Sequence, residues 1–187
     1  MNAMAEFELK ILDFIKDTFG CAFLDKAMPT VSMFGDHGIF WMALTAILLI
    51  PKKTRRMGFS MAIALALGFI FGNMIIKNAL ARTRPYEYRP EIELLVKKLS
   101  DYSFPSGHTL ASFEASVCIF IRNKKWGVAA LVLAVLIALS RLYLYVHFPS
   151  DVLAGALLGT VFAIVATLIV NRIYRKKTAL SDKNLID

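Results

Sequence analysis

Three short polar clusters interrupt an otherwise apolar stretch between residues 77 and 151, and their residue types define a chemistry. The first runs from Lys77 to Arg84 and Pro85, with Arg82 between them. The second is Ser103, Phe104, Pro105, Ser106, Gly107 and His108. The third is Ser140 and Arg141, then His147 after five intervening residues and Asp151 after three more. Lys77, Arg84 and Arg141 supply fixed positive charge, His108 and His147 supply imidazoles, and Asp151 is the one carboxylate. That set suits a phosphoryl group. The cations take the non-bridging oxygens, one histidine attacks phosphorus, and the other protonates the leaving oxygen.

Each cluster also has a plainer reading. Lys77 and Arg84 are seven residues apart, about two helical turns, which predicts one shared helix face and a separation of roughly 10 Å along the axis. Pro85 stops that helix. Arg82 does not share the face and is assigned to the membrane interface. Alone, a Lys-Arg pair at a helix end reads as a snorkelling anchor. Ser106 is predicted to cap a helix whose free N–H groups form an anion site. Gly107 would allow close backbone approach and His108 would stand in the first turn. The alternative is a capped helix start with an incidental histidine. Asp151 follows His147 across a turn, where it can accept from one ring nitrogen and leave the other free for attack. The alternative there is a helix-start acid beside an unrelated histidine. Convergence of all three clusters on one side of the molecule is what tells against the plainer readings.

The elements that must position these residues are membrane spans. The 187 residues are 57% hydrophobic with mean hydropathy +0.58, too apolar for an ordinary soluble domain. A span needs about 20 mostly apolar residues. The pattern predicts an all-α polytopic transmembrane bundle of about five spans, at 34–50, 57–80, 106–121, 126–145 and 151–170, preceded by an amphipathic helix at 5–19. In that helix Glu6, Lys10, Asp13 and Asp17 take one face and Phe7, Ile11, Phe14 and Ile15 the other. It lies along the membrane interface or packs on the protein; both readings stand. Gly20 is a plausible stop, and Pro29 falls in the connection that follows. Cys21 and Cys118 suggest no disulfide framework, and the N-terminus lacks the basic start and apolar run of a cleavable signal. No second domain or repeat is visible, so 1–187 reads as a single membrane-embedded domain with a tail at 171–187.

The formal charge of +8 could suggest nucleic acid, but its distribution excludes that partner. Lys52, Lys53, Arg55 and Arg56 follow the first span, Arg122, Lys124 and Lys125 the third, and Arg172, Arg175, Lys176 and Lys177 the fifth. The positive-inside rule makes those ends cytoplasmic. A multi-pass protein of the plasma membrane follows, with its N-terminal helix outside, its C-terminus inside, and all three polar clusters extracytoplasmic.

Lys77 to Pro85 matches K-x6-R-P, Pro105 to His108 matches P-S-G-H, and Ser140 to Asp151 matches S-R-x5-H-x3-D. Together they resemble the three-part signature of the type 2 phosphatidic acid phosphatase family, which also includes vanadium haloperoxidases. The resemblance implies that His147 is the nucleophile and forms a phosphohistidine. It implies that Asp151 orients His147, that His108 is the general acid, and that Lys77, Arg84, Ser106, Gly107 and Arg141 bind phosphate oxygens. It implies no metal and no cofactor, and three scattered histidines without clustered carboxylates make a poor divalent-metal site. The substrate class it implies is a lipid phosphate in the bilayer. Undecaprenyl pyrophosphate is the first choice, because an outward-facing site suits a lipid carrier released there. Phosphatidylglycerophosphate or phosphatidate is the alternative. Phosphoryl transfer from a lipid diphosphate to an acceptor, and a non-catalytic lipid-binding protein, are readings of other classes. The haloperoxidase branch is set aside because those enzymes are soluble. Glu114, deep in a span, is expected to be protonated or paired with a hydroxyl, amide or indole donor, outside the catalytic set.

Overall fold

The long apolar runs become helices because helices satisfy their own backbone hydrogen bonds where water is absent. The structure, a computed structural model, describes residues 3–183, with side chains to Lys177; the last part of the predicted tail, 184–187, lies outside the described residues. The helices are α1 (Ala3–Phe19), α2 (Ala22–Met33), α3 (Ile39–Leu49), α4 (Arg55–Leu67), α5 (Lys77–Leu80), α6 (Gly107–Arg122), α7 (Lys124–Tyr143) and α8 (Pro149–Lys183). A π-helical segment, Gly68–Ile76, joins α4 to α5 without a break. No strand occurs among the described residues.

Among the described residues, four stretches are long and apolar enough to cross a membrane: Ala22–Leu49, Arg55–Glu87, Lys124–Tyr143 and Pro149–Lys177. The remaining expected span, the third in chain order, is α6, which has only 16 residues and packs against α3, α4, α7 and α8. It is the central helix of the bundle. Outward-facing residues such as Met42, Phe59, Val132, Leu157 and Leu168 are apolar and exposed, as lipid-facing surface must be. The first apolar stretch begins earlier than the sequence pattern suggests, because Pro29 lies inside α2 instead of in a connection. Proline withholds one N–H, but its fixed φ is compatible with a helix, so the helix continues through it. Asp36 and His37 therefore sit in a kink between α2 and α3, where His37 and Gly38 take φ of 51° and 67°.

The core is small and tight: Ala64, Ala115, Ala163 and Ala166 pack around Trp41, Met61, Cys118 and Ile137. Small residues let spans approach closely, which is how helices associate where lipid is as apolar as leucine. Gly155 and Gly159 take this furthest. A Cβ at Gly155 would come within 2.8 Å of the Ser106 carbonyl oxygen, and one at Gly159 within 2.6 Å of the Leu110 oxygen. The α8 backbone thus lies on the α6 backbone, and Ser106 N donates to the Asp151 carbonyl at 3.1 Å. The N-termini of the two helices that carry His108 and Asp151 are pinned side by side.

Helix α1 combines the two readings of its sequence. Leu9 and Leu12 are fully buried against Tyr86, Leu144, Val146 and Phe148, each contributing about 2 kcal/mol by burial. Met4, Phe7 and Phe14 stay exposed on another side. At the opposite end of the bundle the basic linkers gather, where Arg122 donates to Asn171 and Arg56 lies over the Tyr174 ring at 4.3 Å.

Candidate active site

Lys77 and Arg84 do converge, although not on one helix. Helix α5 ends at Leu80, Ala81 is left-handed with φ 45°, and Arg84 is extended ahead of Pro85. The expected two-turn spacing is corrected accordingly: the left-handed residue ends the helix, so face geometry stops applying after it. Both side chains reach one carboxylate. Lys77 Nζ is 2.5 Å from Asp101 Oδ2, and Arg84 Nη2 is 2.7 Å from Asp101 Oδ1. Lys77 and Arg84 are buried, whereas the Asp101 side chain is 51% exposed. Burial pushes the Asp101 carboxyl upward, but hydrogen bonds and charge from Lys77 and Arg84 outweigh it and hold the pKa at about 2.

Arg84 also joins the first cluster to the third. Its Nε donates to the Asp101 carbonyl at 2.9 Å, and Nη1 donates to the Val146 carbonyl at 2.7 Å. Nη1 lies 3.2 Å from His147 Nε2. A guanidinium only donates, so Nε2 must accept, and the neutral ring carries its proton on Nδ1. Burial, then the positive charges of Arg84, Arg141, Lys77 and His108, keep the His147 pKa well below its ordinary value. The result is a buried neutral imidazole whose Nε2 lone pair points at a cation.

Asp151 is adjacent to His147 but already fully engaged. Its Oδ2 accepts from Ser103 Oγ at 2.5 Å and from Phe148 N at 2.9 Å. The His147 Nδ1 is 3.6 Å from that oxygen, beyond hydrogen-bond length, and has no partner among the described residues. Asp151 Oδ1 takes Arg82 Nη1 at 2.6 Å. Arg82 is therefore not an interfacial residue. Its guanidinium stacks over the Phe148 ring at 4.0 Å, donates to Ser150 Oγ at 2.6 Å, and pairs with Glu8 of α1. Glu8 also accepts from Ser150 N at 2.8 Å, a carboxylate placed at the positive end of α8.

The second cluster sits where expected, with different partners. Ser106 occupies the N-cap position of α6, but its Oγ accepts from Thr109 Oγ1 at 3.0 Å instead of capping the helix. Gly107 faces Asn73 of the π-helical segment, whose Oδ1 would lie 3.0 Å from an added Cβ. His108 Nε2 is 2.7 Å from Asp36 Oδ1, which the α2–α3 kink delivers. Arg141 Nη1 donates to Ser32 Oγ, its Nε is buried without a partner, and no carboxylate pairs with it among the described residues. Glu114 packs against Gly68, where a Cβ would approach its Oε1 to 2.0 Å, and among the described residues that oxygen has no hydrogen-bond partner. The nearby indole, Trp41 Nε1, donates to Ser112 Oγ instead.

Glu8, Asp36, Arg82 and Asp101 thus join the site beyond the residues singled out in the sequence. The arrangement can hold an anion between Lys77, Arg84 and Arg141, beside one unprotonated imidazole nitrogen and near a second, carboxylate-paired imidazole.

Residues 53–175 match the model of the PAP2 superfamily. Over 140 residues the chain is 36% identical to an undecaprenyl-diphosphatase of Sulfolobus acidocaldarius, covering 74% of this chain and 67% of that protein. It is 36% identical over 137 residues to a decaprenylphosphoryl-5-phosphoribose phosphatase of Mycobacterium tuberculosis, covering 72% and 75%. The fold resembles the crystal structure of a transmembrane PAP2 type phosphatidylglycerolphosphate phosphatase from Bacillus subtilis. There the TM-score is 0.76 and the identity 24%, with 92% of this chain and 89% of that one covered. The family match takes in all three motifs and Asp101 but neither Glu8 nor Asp36.

Proposed function

Because the chain belongs to the PAP2 superfamily and is an integral membrane phosphatase of it, we propose that it hydrolyses a polyprenyl diphosphate through a phosphohistidine on His147. The observation that carries this reading is the 3.2 Å contact between Arg84 Nη1 and the unprotonated His147 Nε2. A phosphate oxygen taken by Arg84 brings phosphorus beside that lone pair. Lys77 and Arg141 take further oxygens, and the unpartnered Arg141 Nε is a donor of the right kind for one.

In the first step Nε2 attacks phosphorus, the bond to the leaving oxygen breaks, and His108 gives that oxygen a proton. In the second, His108 takes a proton from water, whose oxygen attacks the phosphohistidine and releases inorganic phosphate. Asp36 holds Nε2–H of His108 and leaves Nδ1 to carry the transferred proton. Positive charge on His147 develops next to Asp151, 3.6 Å from Nδ1, and that carboxylate stabilises it.

The polyprenyl substrate is favoured over a glycerolipid by coverage: the two relatives that bear polyprenyl names align over 74% and 72% of this chain, whereas a phosphatidylglycerophosphatase B of Bacillus subtilis, also 36% identical, aligns over 48%. By the positive-inside rule the basic linkers are cytoplasmic and the site opens on the other side, with the exposed apolar residues of α1 lying in that interface. The test is rapid acid-free quenching with substrate labelled on the terminal phosphate, alongside phosphate release from polyprenyl diphosphate, phosphatidylglycerophosphate and phosphatidate. Base-stable, acid-labile label should appear on wild-type protein and not on His147→Ala, with fastest release from the diphosphate and no acceptor required. Near-normal release by His147→Ala refutes the mechanism, and faster turnover of a glycerolipid refutes the substrate.

A further inference from the structure

Asp101 meets two of the three cations proposed to bind phosphate. Its two oxygens bridge them, one on Lys77 Nζ at 2.5 Å and one on Arg84 Nη2 at 2.7 Å, as two oxygens of a bound phosphate would. The same guanidinium touches His147 Nε2. The Asp101 carboxylate therefore stands within one guanidinium of the attacking nitrogen.

We propose that Asp101 is an internal occupant of the phosphate site that substrate must displace, and that it excludes phosphodiester lipid headgroups. The proposal rests on Lys77 and Arg84 being phosphate ligands. Three observations favour displacement over a permanent scaffold. First, the cations are buried while the Asp101 side chain is half exposed, so it approaches them from the open side. Second, the backbone around it is fixed independently of the carboxylate. Arg84 Nε holds the Asp101 carbonyl, Arg84 Nη2 holds that of Tyr102 at 3.2 Å, and Ser103 N donates to the Arg82 carbonyl at 2.8 Å. A side-chain rotation alone can withdraw the carboxylate. Third, with a pKa of about 2 it does not leave by protonation at working pH; another anion has to replace it.

Charge then decides which anion succeeds. A carboxylate offers one negative charge and two oxygens. A phosphodiester also offers one charge and two non-bridging oxygens, so it gains little by exchange. A terminal phosphate carries up to two charges and three oxygens, and it gains a contact to Arg141 that Asp101 does not make. The surrounding bilayer is a concentrated solution of phosphodiesters, and an occupied site lowers their apparent affinity by the fraction of time it is closed.

The experiment measures inhibition of the purified wild-type protein and of Asp101→Asn and Asp101→Ser in mixed micelles, by inorganic phosphate and by phosphatidylglycerol. Wild-type protein should be inhibited by phosphate at a concentration at least about tenfold below that of phosphatidylglycerol. In either variant, phosphatidylglycerol should inhibit about tenfold more tightly than in wild type, phosphate should also tighten, and KM should fall. Equal inhibition of the wild type by the two anions overturns the proposal, whether or not the variants fold. Unchanged or weaker inhibition in a folded variant, with a raised KM, also overturns it, making Asp101 a scaffold for the cations. Arg84→Gln separates the two readings. If Arg84 binds phosphate, its loss weakens phosphate inhibition whatever Asp101 does; if phosphate inhibition is unmoved, the ligand assignment itself fails.

Discussion

Removing the Glu8 carboxylate should disturb both stability and catalysis, although Glu8 lies on the first helix, outside every motif. Its side chain is 5% exposed and the Arg82 side chain 25%, so their pairing is only partly screened. A charged hydrogen bond contributes about 1.5–3 kcal/mol, and Glu8 makes one to Arg82 and one to Ser150 N. Breaking a buried pair from one side costs about 3–5 kcal/mol. Arg82 keeps Asp151 and Ser150 as partners, which places Glu8→Ala at the lower end, about 3 kcal/mol. Arg82→Ala should cost a similar amount and should also lower kcat about tenfold, because Asp151 loses the donor that fixes its Oδ1. The assay is a double-mutant cycle: unfolding in mixed micelles titrated with SDS, and phosphate release for each variant. We expect a coupling of about 2 kcal/mol between the two positions and a smaller kcat loss for Glu8→Ala. If the single effects add to within about 0.5 kcal/mol, the pair is not coupled and Glu8 merely anchors α1.

Two further outcomes follow from the charges. The His147 pKa is depressed, so its neutral form is favoured on folding. Below the unfolded value of about 6.5 the unfolded chain takes up a proton that the folded site refuses, and stability falls as the medium acidifies; the acid limb of kcat/KM due to His147 should therefore lie below pH 6.5, and an imidazole resonance of His147 titrating at or above that value refutes this. Single cysteines placed in the 86–102 connection should react with an impermeant reagent added outside cells, while cysteines beside Lys53 or Lys124 should not; the reverse pattern turns the site to the cytoplasm.

The spans and the three polar motifs were legible in the sequence for a common reason. Spans are set by local apolarity, and the motif residues carry their chemistry at fixed short spacings, so neither requires knowledge of distant contacts. Arg82 was misassigned because a helical face was extended past Leu80, although Ala81 leaves the helix in the left-handed region. Pro29 was read as a break because sequence alone does not show that a helix continues through it. Glu8 left a usable signal. It lies on the same strip as Leu9 and Leu12, and an acid on an apolar face has to find a partner. Asp36 and Asp101 left none. Each is one acid in a polar connection, and only the fold brings them to His108, Lys77 and Arg84.

Three of these additions, Glu8, Arg82 and Asp101, share one physical cause. Four permanent cations, Lys77, Arg82, Arg84 and Arg141, are gathered around His147, and uncompensated buried charge is among the costliest features a fold can carry. Arg82 is balanced by Glu8 and Asp151, while Lys77 and Arg84 share Asp101. Among the described residues, Arg141 has only the Ser32 hydroxyl as a side-chain partner, and its Nε is unpartnered. The compensation is uneven in a way that suits the proposed reaction. The carboxylates of Arg82 are buried and remain in place, so Asp151 stays beside the nucleophile. The carboxylate of Lys77 and Arg84 is half exposed and can be exchanged. When a terminal phosphate replaces it, Lys77, Arg84 and Arg141 face the incoming group with no internal anion among them, and the charge that made the folded site costly becomes the charge that stabilises the transition state.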